Sequence, residues 1–336
     1  MQKITDASAL IGIVVIGRNE GQRLMLSLQS MQSCHCPLVY VDSGSADNSV
    51  QAAQSLADIV HSLDAAKPFS AARARNEGFA LLMQHYPSVQ FVQFVDGDCI
   101  LADGWLNAAQ QSLLADNTRA VVVGHLEESF PNASVYNKLC ALEWKSPVGD
   151  MKNFGALGGI SIVRNDVFLA LNGFKDNVIA GEDSEFGVRL ALAGYKVTKI
   201  DHHMATHDAN MKKFSQWWKR AVRAGHAIGQ RADLNGASAV KDCVQERKST
   251  LFWGVAIPVL ALILLIPSKG LSLFILFAYV LLAFKVFRYR QKIGESASDA
   301  WIYAKFIVLG KFANGVGLMK YFFNRMHKQY EIIEYK

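Results

Sequence analysis

The chain has 336 residues, 51% of them hydrophobic, which exceeds the usual single-domain range and implies one large domain with an appendage, or two domains. Charge is unevenly shared: residues 1–210 hold 15 Lys+Arg against 22 Asp+Glu, and residues 211–336 hold 20 against 7, so nucleic acid is excluded as ligand of the front half while the apolar, basic back half suits an anionic membrane surface. The five cysteines are scattered apart from Cys34-His35-Cys36, which lacks a second ligand pair at zinc-finger spacing, so neither a disulfide framework nor a zinc finger is implied and a reducing cytosol fits.

Met1-Gln2-Lys3, with Asp6 soon after, leads into the first strand without a long apolar core or small-residue cleavage site, so no signal peptide is expected. Residues 10–16 (Leu-Ile-Gly-Ile-Val-Val-Ile) read as a buried strand, followed by the loop Gly17-Arg18-Asn19-Glu20-Gly21 and a helix over 22–32. Residues 38–41 form a second strand ending in Asp42 and the turn Ser43-Gly44-Ser45-Ala46-Asp47. A helix over 48–57, a short strand at Ile59-Val60 and a helix over 71–85 follow, the last capped by Ser70 and carrying Arg73, Arg75 and Asn76. Then comes a strand, 91–95, whose residues are aromatic or β-branched apart from Gln93. This alternation predicts an α/β fold with parallel strands and right-handed crossovers.

The strand 91–95 ends in Asp96-Gly97-Asp98. Ligand crevices in open α/β sheets lie beyond the carboxyl ends of the strands, so two hard oxygen donors there suit Mg²⁺ or Mn²⁺ shared with a phosphate-bearing ligand, although Asp-Gly-Asp is also an ordinary turn. Neither a Gly-x-Gly-x-x-Gly after the first strand nor a Walker-type Gly-Lys-Ser/Thr is present, which argues against a dinucleotide cofactor.

Farther on, a helix is expected over 105–114 and a strand over 120–123. Residues 125–157 show no clear period; Tyr136, Trp144, Lys145 and Met151 either line an acceptor groove or pack on the sheet. A strand opened by Gly158-Gly159 precedes a short helix (166–171) and the acidic cluster Gly181-Glu182-Asp183-Ser184-Glu185, which leads into a helix over 186–193 stopped by Gly194. Asp183 or Ser184 can serve there as no more than an N-cap. A strand over 195–200 is followed by His202, His203, His207 and Asp208, where three histidines within six residues suggest a metal or phosphate contact, His207 first among them. Basic and aromatic residues 212–231, with Trp217, Trp218, Lys219 and Arg220, suit an amphipathic helix at a membrane interface or a diphosphate clamp.

Residues 251–267 and 271–287 are almost wholly apolar and joined by Pro267-Ser268-Lys269-Gly270. Lys241, Arg247 and Lys248 before them and Arg288, Arg290 and Lys292 after them predict a helical hairpin, spanning or re-entrant, with both ends cytoplasmic; a buried soluble helix pair is the alternative. Residues 300–323, with Lys305, Lys311, Lys320 and three glycines, read as interfacial helices.

Five motifs in order resemble the inverting family-2 glycosyltransferases of the GT-A fold, in a membrane-anchored bacterial form. They are the strand and loop from Val14 to Glu20, the turn from Val41 to Asp47, the helix from Ala72 to Gly78, Asp96-Gly97-Asp98, and Gly181-Glu182-Asp183; together they cover roughly residues 10–225. The resemblance implies a Rossmann-like mixed sheet binding a nucleotide-diphosphate sugar, with UDP favoured. It implies Asp42 at the base with Glu20 and Arg73 or Arg75 nearby, Asp96 at the ribose, and Asp98 on Mg²⁺ or Mn²⁺ against the diphosphate. Asp183, beside Glu182, is then the general base that deprotonates an acceptor hydroxyl.

Two departures stand out. Ser43 replaces the second acid of the turn, and Gln216-Trp217-Trp218-Lys219-Arg220 only loosely echoes the Gln-x-x-Arg-Trp box of processive synthases. A single transfer to a lipid-linked or glycan acceptor in polysaccharide or glycolipid assembly is therefore expected, on the cytoplasmic face of the inner membrane. The alternatives are a polyprenyl-phosphate glycosyltransferase, whose acceptor needs no base, and a non-catalytic nucleotide-binding scaffold. The expected organisation is a GT-A domain over 1–225, a linker over 226–250, the hairpin over 251–287 and an amphipathic tail over 288–336.

Overall fold

The computed structural model describes residues 10–152, 154, 157–178 and 180–327. The expectations for Met1–Asp6 and for the tail beyond residue 327 lie outside the described residues. The chain divides into two compact units, one of Met1–Ser129 with Trp144–Ala209 and one of Phe130–Glu143 with Asn210–Lys336.

In chain order the first unit contributes β1 (Ile11–Gly17), α1 (Gln22–Ser30), β2 (Leu38–Asp42), α2 (Ser49–Ala53), β3 (Ile59–Ser62), α3 (Ala71–His85), β4 (Phe91–Asp96), β5 (Cys99–Leu101), α4 (Trp105–Ala115) and β6 (Arg119–Glu128). α5 (Val135–Glu143) belongs to the second unit. The first resumes with β7 (Gly149–Asp150), β8 (Ser161–Arg164), α6 (Asn165–Ala170), α7 (Glu182–Leu192) and β9 (Lys196–His207). The second continues with α8 (Phe214–Asn235), α9 (Val244–Leu251), α10 (Ile257–Ile263), α11 (Phe277–Lys292) and α12 (Ala297–His327).

The strands form one mixed sheet in the order β3-β2-β1-β4-β8-β6-β9-β5, with β7 beside β9. β1, β2, β3 and β4 run parallel, as the βαβ alternation requires, and their carboxyl ends place Gly17, Asp42 and Asp96 along one edge. β8 is antiparallel to both β4 and β6. The apolar residues of β1, β2 and β4 are buried almost without exception, and helices cover the sheet.

Gln93, the one polar side chain in β4, is fully buried and accepts a hydrogen bond from Trp105 Nε1 at 2.8 Å while its amide donates to the Phe94 carbonyl. The pair locks α4 to the sheet and satisfies two groups whose burial would otherwise be costly.

Several boundaries differ from the sequence reading. β9 runs to His207, so the histidines lie within the strand, and α7 begins at Glu182, so the acidic cluster is its first turn. The featureless stretch 125–157 contains the end of β6, α5 and β7. α8 is continuous through residue 225.

In the second unit residues 244–263 are helical throughout: α9 passes through a π-helical turn at 252–256 into α10, which has Pro258 in its first turn, and the end of the apolar run, 264–267, lies beyond it. Among the described residues, the helices long and apolar enough to cross a membrane are Leu271–Lys292 and Ala297–His327. Residues 300–323, expected as interfacial pieces, lie within the single helix α12, where Gly315 and Gly317 serve close packing rather than breaks. Phe274, Phe277, Val280, Leu281 and Phe284 are all exposed, an apolar surface suited to lipid.

Trp105→Phe leaves Gln93 Oε1 without its donor and is expected to cost about 1–3 kcal/mol, read from the urea midpoint. Adding Gln93→Leu should recover part of the loss. A single variant within about 0.5 kcal/mol of the parent would rule the buried pair out as a stabilising contact.

Candidate active site

The site grows from the ends of β2, β4 and β9 and from the first turn of α7, all within the first unit. At its centre is Arg75, on α3 and only 2% exposed. Its Nη2 donates to Asp96 Oδ1 and its Nη1 to Glu182 Oε1, each at 2.6 Å, so one guanidinium ties the end of β4 to the start of α7. Burial, the largest influence, pulls the Arg75 pKa down, but the charges of Asp96, Glu182 and Asp183 outweigh it and hold the guanidinium ionised well above its ordinary range. The ring of Phe174 lies beneath it, 5.8 Å from centroid to Cζ.

Gly159 completes the cradle. A Cβ there would overlap Arg75 Nη2 and lie 2.8 Å from Asp96 Oδ2, so any side chain would split the ion pair. The double glycine at 158–159 was visible in the sequence, but its reason is this approach.

Asp98 faces a different set of partners from Asp96. It is 4% exposed, its Oδ2 lies 3.2 Å from His207 Nε2, and Cys99 Sγ is 3.5 Å from Oδ1. The register explains the meeting: β5 pairs antiparallel with β9 so that Cys99 stands opposite His207. Asp98, Cys99 and His207 place one ligand atom each within 4.8 Å of one another, the one such grouping of His, Cys, Asp and Glu side chains among the described residues. His207 Nδ1 is buried with no hydrogen-bond partner among the described residues, and the ring packs against Trp144 with centroids 4.8 Å apart. A carboxylate and an imidazole nitrogen at this spacing suit a divalent cation of the Mg²⁺ or Mn²⁺ type; the buried thiol of Cys99 is the softer, less suitable donor.

The other predicted residues divide. Asp42 is 1% exposed, and its carboxylate turns inward, accepting from Tyr40 Oη at 3.0 Å, from the Gly44 and Ser45 amides at 2.9 and 2.8 Å, and from Ser45 Oγ. It shapes the turn after β2 rather than projecting from it, and burial, with the Asp42 charge second, raises the Tyr40 phenol. Asn19 latches the neighbouring loop to that turn, its Oδ1 accepting from the Ala46 amide and its backbone N–H donating to Ser45 Oγ.

Arg73 turns toward the loop that precedes α3. Its guanidinium donates to Glu77 and to the carbonyls of Asp64, Lys67 and Pro68, pinning the loop before α3. Glu20 pairs with Arg23 at 2.6 Å, and its Cγ sits 3.4 Å from where a Cβ on Gly97 would be. Asp183 is half-buried beside Glu182 in the first turn of α7, where the helix dipole favours a carboxylate. Glu185, fully buried, is structural, held by Arg189 and Lys175. His202 packs near Trp105, while His203 stands opposite His125 in the sheet.

Trp217, Trp218, Lys219 and Arg220 belong to the second unit. Trp217 is buried there against Phe306, and Arg220 pairs with Glu143 at 2.7 Å.

Residues 13–163 match the family model described as Glycosyl transferase family 2, and residues 143–213 match one described as N-terminal domain of galactosyltransferase. Glycosyltransferase AglE of Haloferax volcanii is 23% identical over 234 residues, covering 66% of this chain and 74% of the relative. Among solved structures, mannosyltransferase PcManGT of Pyrobaculum calidifontis, determined with GDP-Man and Mn²⁺, superposes with a TM-score of 0.57 at 15% identity, covering 94% of this chain and 88% of that one. S. aureus TarS, residues 1–349, gives 0.53 at 14%, with 97% and 95% covered.

Arg75→Met strips the cation from two carboxylates and is expected to destabilise the chain by about 3–5 kcal/mol, the usual cost of breaking a buried pair. Urea unfolding followed by tryptophan fluorescence reads it; a loss below about 1 kcal/mol would place the pair in the solvent-screened class.

Proposed function

From the premise that the chain is a family-2 glycosyltransferase with the GT-A fold, we propose that it moves one sugar, with inversion, from a nucleotide-diphosphate sugar to a hydroxyl of a lipid-linked acceptor at a membrane surface. The observation that carries this reading is the convergence of Asp96, Asp98, Glu182 and His207 around the end of β4, two through Arg75 and two through their own contact. The fold relative solved with GDP-Man and Mn²⁺ supports a nucleotide sugar and a divalent cation.

In this reading Asp98 and His207 hold Mg²⁺ or Mn²⁺, which when bound offsets the negative charge of the leaving diphosphate. Asp96, one oxygen pinned by Arg75, presents the other to the ribose hydroxyls. Arg75 has no role in proton transfer; it fixes Asp96 and Glu182 and so sets where Asp183 points. Asp183 accepts the acceptor's hydroxyl proton as that oxygen bonds to the anomeric carbon, while the bond from the anomeric carbon to the diphosphate oxygen breaks.

Asp42 orders the turn that borders the base, with Asn19 and Ser45, and leaves recognition of the base to the groups it positions. Glu20 acts from beneath Gly97. In this reading the C-terminal helices anchor the enzyme on the cytoplasmic face of the membrane, a placement that Lys241, Arg247 and Lys248 ahead of them support.

The test is transfer by the full chain, in vesicles, from a panel of UDP- and GDP-linked sugars, with EDTA expected to abolish turnover and Mn²⁺ or Mg²⁺ to restore it. Asp183→Asn should lower kcat by about 10²–10⁴-fold, the usual worth of a general base. Asp98→Ala should lower turnover by about 10²-fold or more, the scale of a lost electrostatic stabiliser. Full activity in both variants would sink the assignment.

A further inference from the structure

Within the second unit, the π-helical turn at 252–256 and α10 lie alongside α12 and line an open surface groove of about 530 Å³. Its size is that of a small-molecule site. Its floor is nearly bare backbone: a Cβ on Gly315 would come within 2.7 Å of the Gly254 carbonyl oxygen, so the two helical segments touch with no side chains between them. Pro258, Val259, Val316 and Met319 supply apolar walls, and Phe323 closes the far end. Gly315, Met319 and Phe323 are spaced at four residues, so the groove follows one face of α12 for about 12 Å.

Two features point to an occupant. The lining is almost entirely apolar, and four of its side chains, Val259, Val316, Met319 and Phe323, are 40–54% exposed. The exception is Lys320, which is exposed and engaged by no ion pair among the described residues. One unneutralised cation on an otherwise apolar channel complements a hydrocarbon chain ending in an anionic group. The π-turn itself is a rare distortion that is frequent at functional sites.

We propose that this groove seats the hydrocarbon chain of the acceptor lipid, with Lys320 on the phosphate that joins the chain to the acceptor sugar. The proposal rests on the reading of a lipid-linked acceptor and adds where its carrier is held. A single channel with a single cation fits a one-chain lipid phosphate of the polyprenyl type rather than a two-chain phospholipid.

Photo-crosslinking of the full chain in vesicles tests it, with a diazirine-bearing polyprenyl phosphate as the probe. Peptide mapping is expected to place the label within 254–259 and 315–323. Lys320→Glu should reduce labelling by at least about fivefold, the scale of one cation at a lipid headgroup, with Lys320→Arg restoring it. Val316→Trp, at an exposed rim position, should block the groove without touching the core. All three variants should keep metal-dependent hydrolysis of the donor sugar.

Equal labelling by the polyprenol lacking the phosphate, equal labelling by a diazirine phosphatidylglycerol, or labelling unchanged in Lys320→Glu and Val316→Trp would overturn the proposal. Those results with donor hydrolysis intact would remove the groove and leave the transferase standing. Specific labelling with no turnover of any nucleotide sugar would remove the proposed transfer and leave the groove.

Discussion

The first unit depends on one buried cation. Arg75 sits where a guanidinium is expensive to desolvate, and it stays because two carboxylates from distant parts of the chain meet it, each in a single short hydrogen bond. The arrangement constrains everything around it. α3 must bring Arg75 to the end of β4, α7 must start at Glu182, and Gly159 must carry no side chain. Below lies the aromatic cluster of Phe79, Phe94, Phe168, Phe174 and Phe186, ring centroids 4.6–5.4 Å apart, which fixes α3, α6 and α7 against the sheet. A rigid apolar floor and a charged bridge above it hold two acidic loops in a fixed relation, as a site that must be organised before its ligand arrives requires.

The second constraint is the register of β9. Because β9 pairs with β6 on one side and β5 on the other, His207 is delivered opposite Cys99 and next to Asp98 by backbone hydrogen bonds alone. The loop that lays Trp144 against His207 is fastened to the same strand. Lys199 donates to Ser146, Thr198 donates to Asp150, and β7 adds a short antiparallel pairing. Burial lowers the Lys199 ammonium, so its two hydrogen bonds to Ser146 are what keep it satisfied. Imidazole, carboxylate and aromatic wall are thus positioned by one strand and its neighbours.

Much of this was legible because strand and helix periods are strong where one face is buried. β1, β2, α3 and β4 fall where the apolar patterns place them, and Ser70 caps α3 as its position suggests, accepting from the Arg73 amide. What pattern could not supply was direction. Arg73 and Arg75 differ by two residues, about 200° around a helix, so one fastens a loop while the other builds the site. Asp42 and Asp96 both end strands, yet one turns back on its own turn and the other faces Arg75. β9 extends past the apolar pattern because Asp201, His202 and His203 are polar, half-exposed or exposed residues that carry no alternation.

The second unit joins apolar burial to close helix contact, and its glycines mark where the helices meet. Gly225, Gly229 and Gly317 lie where α8 and α12 meet, and a Cβ at any of them would collide with the opposing helix, at Asn314, Tyr321 and Val222 respectively. A helix pair that excludes water by burying large apolar side chains does not need such contacts. One whose outer surface is already apolar gains nothing from burying more of it, so close backbone approach through small residues becomes the available source of cohesion. Large side chains then face outward along Leu271–Lys292, while inside the unit glycines and alanines sit among buried Trp217, Val222, Phe306, Leu318 and Tyr321 and a few paired charges such as Arg231 with Asp242. A composition that looks like loop punctuation in α12 is therefore the condition for its remaining one helix of 31 residues.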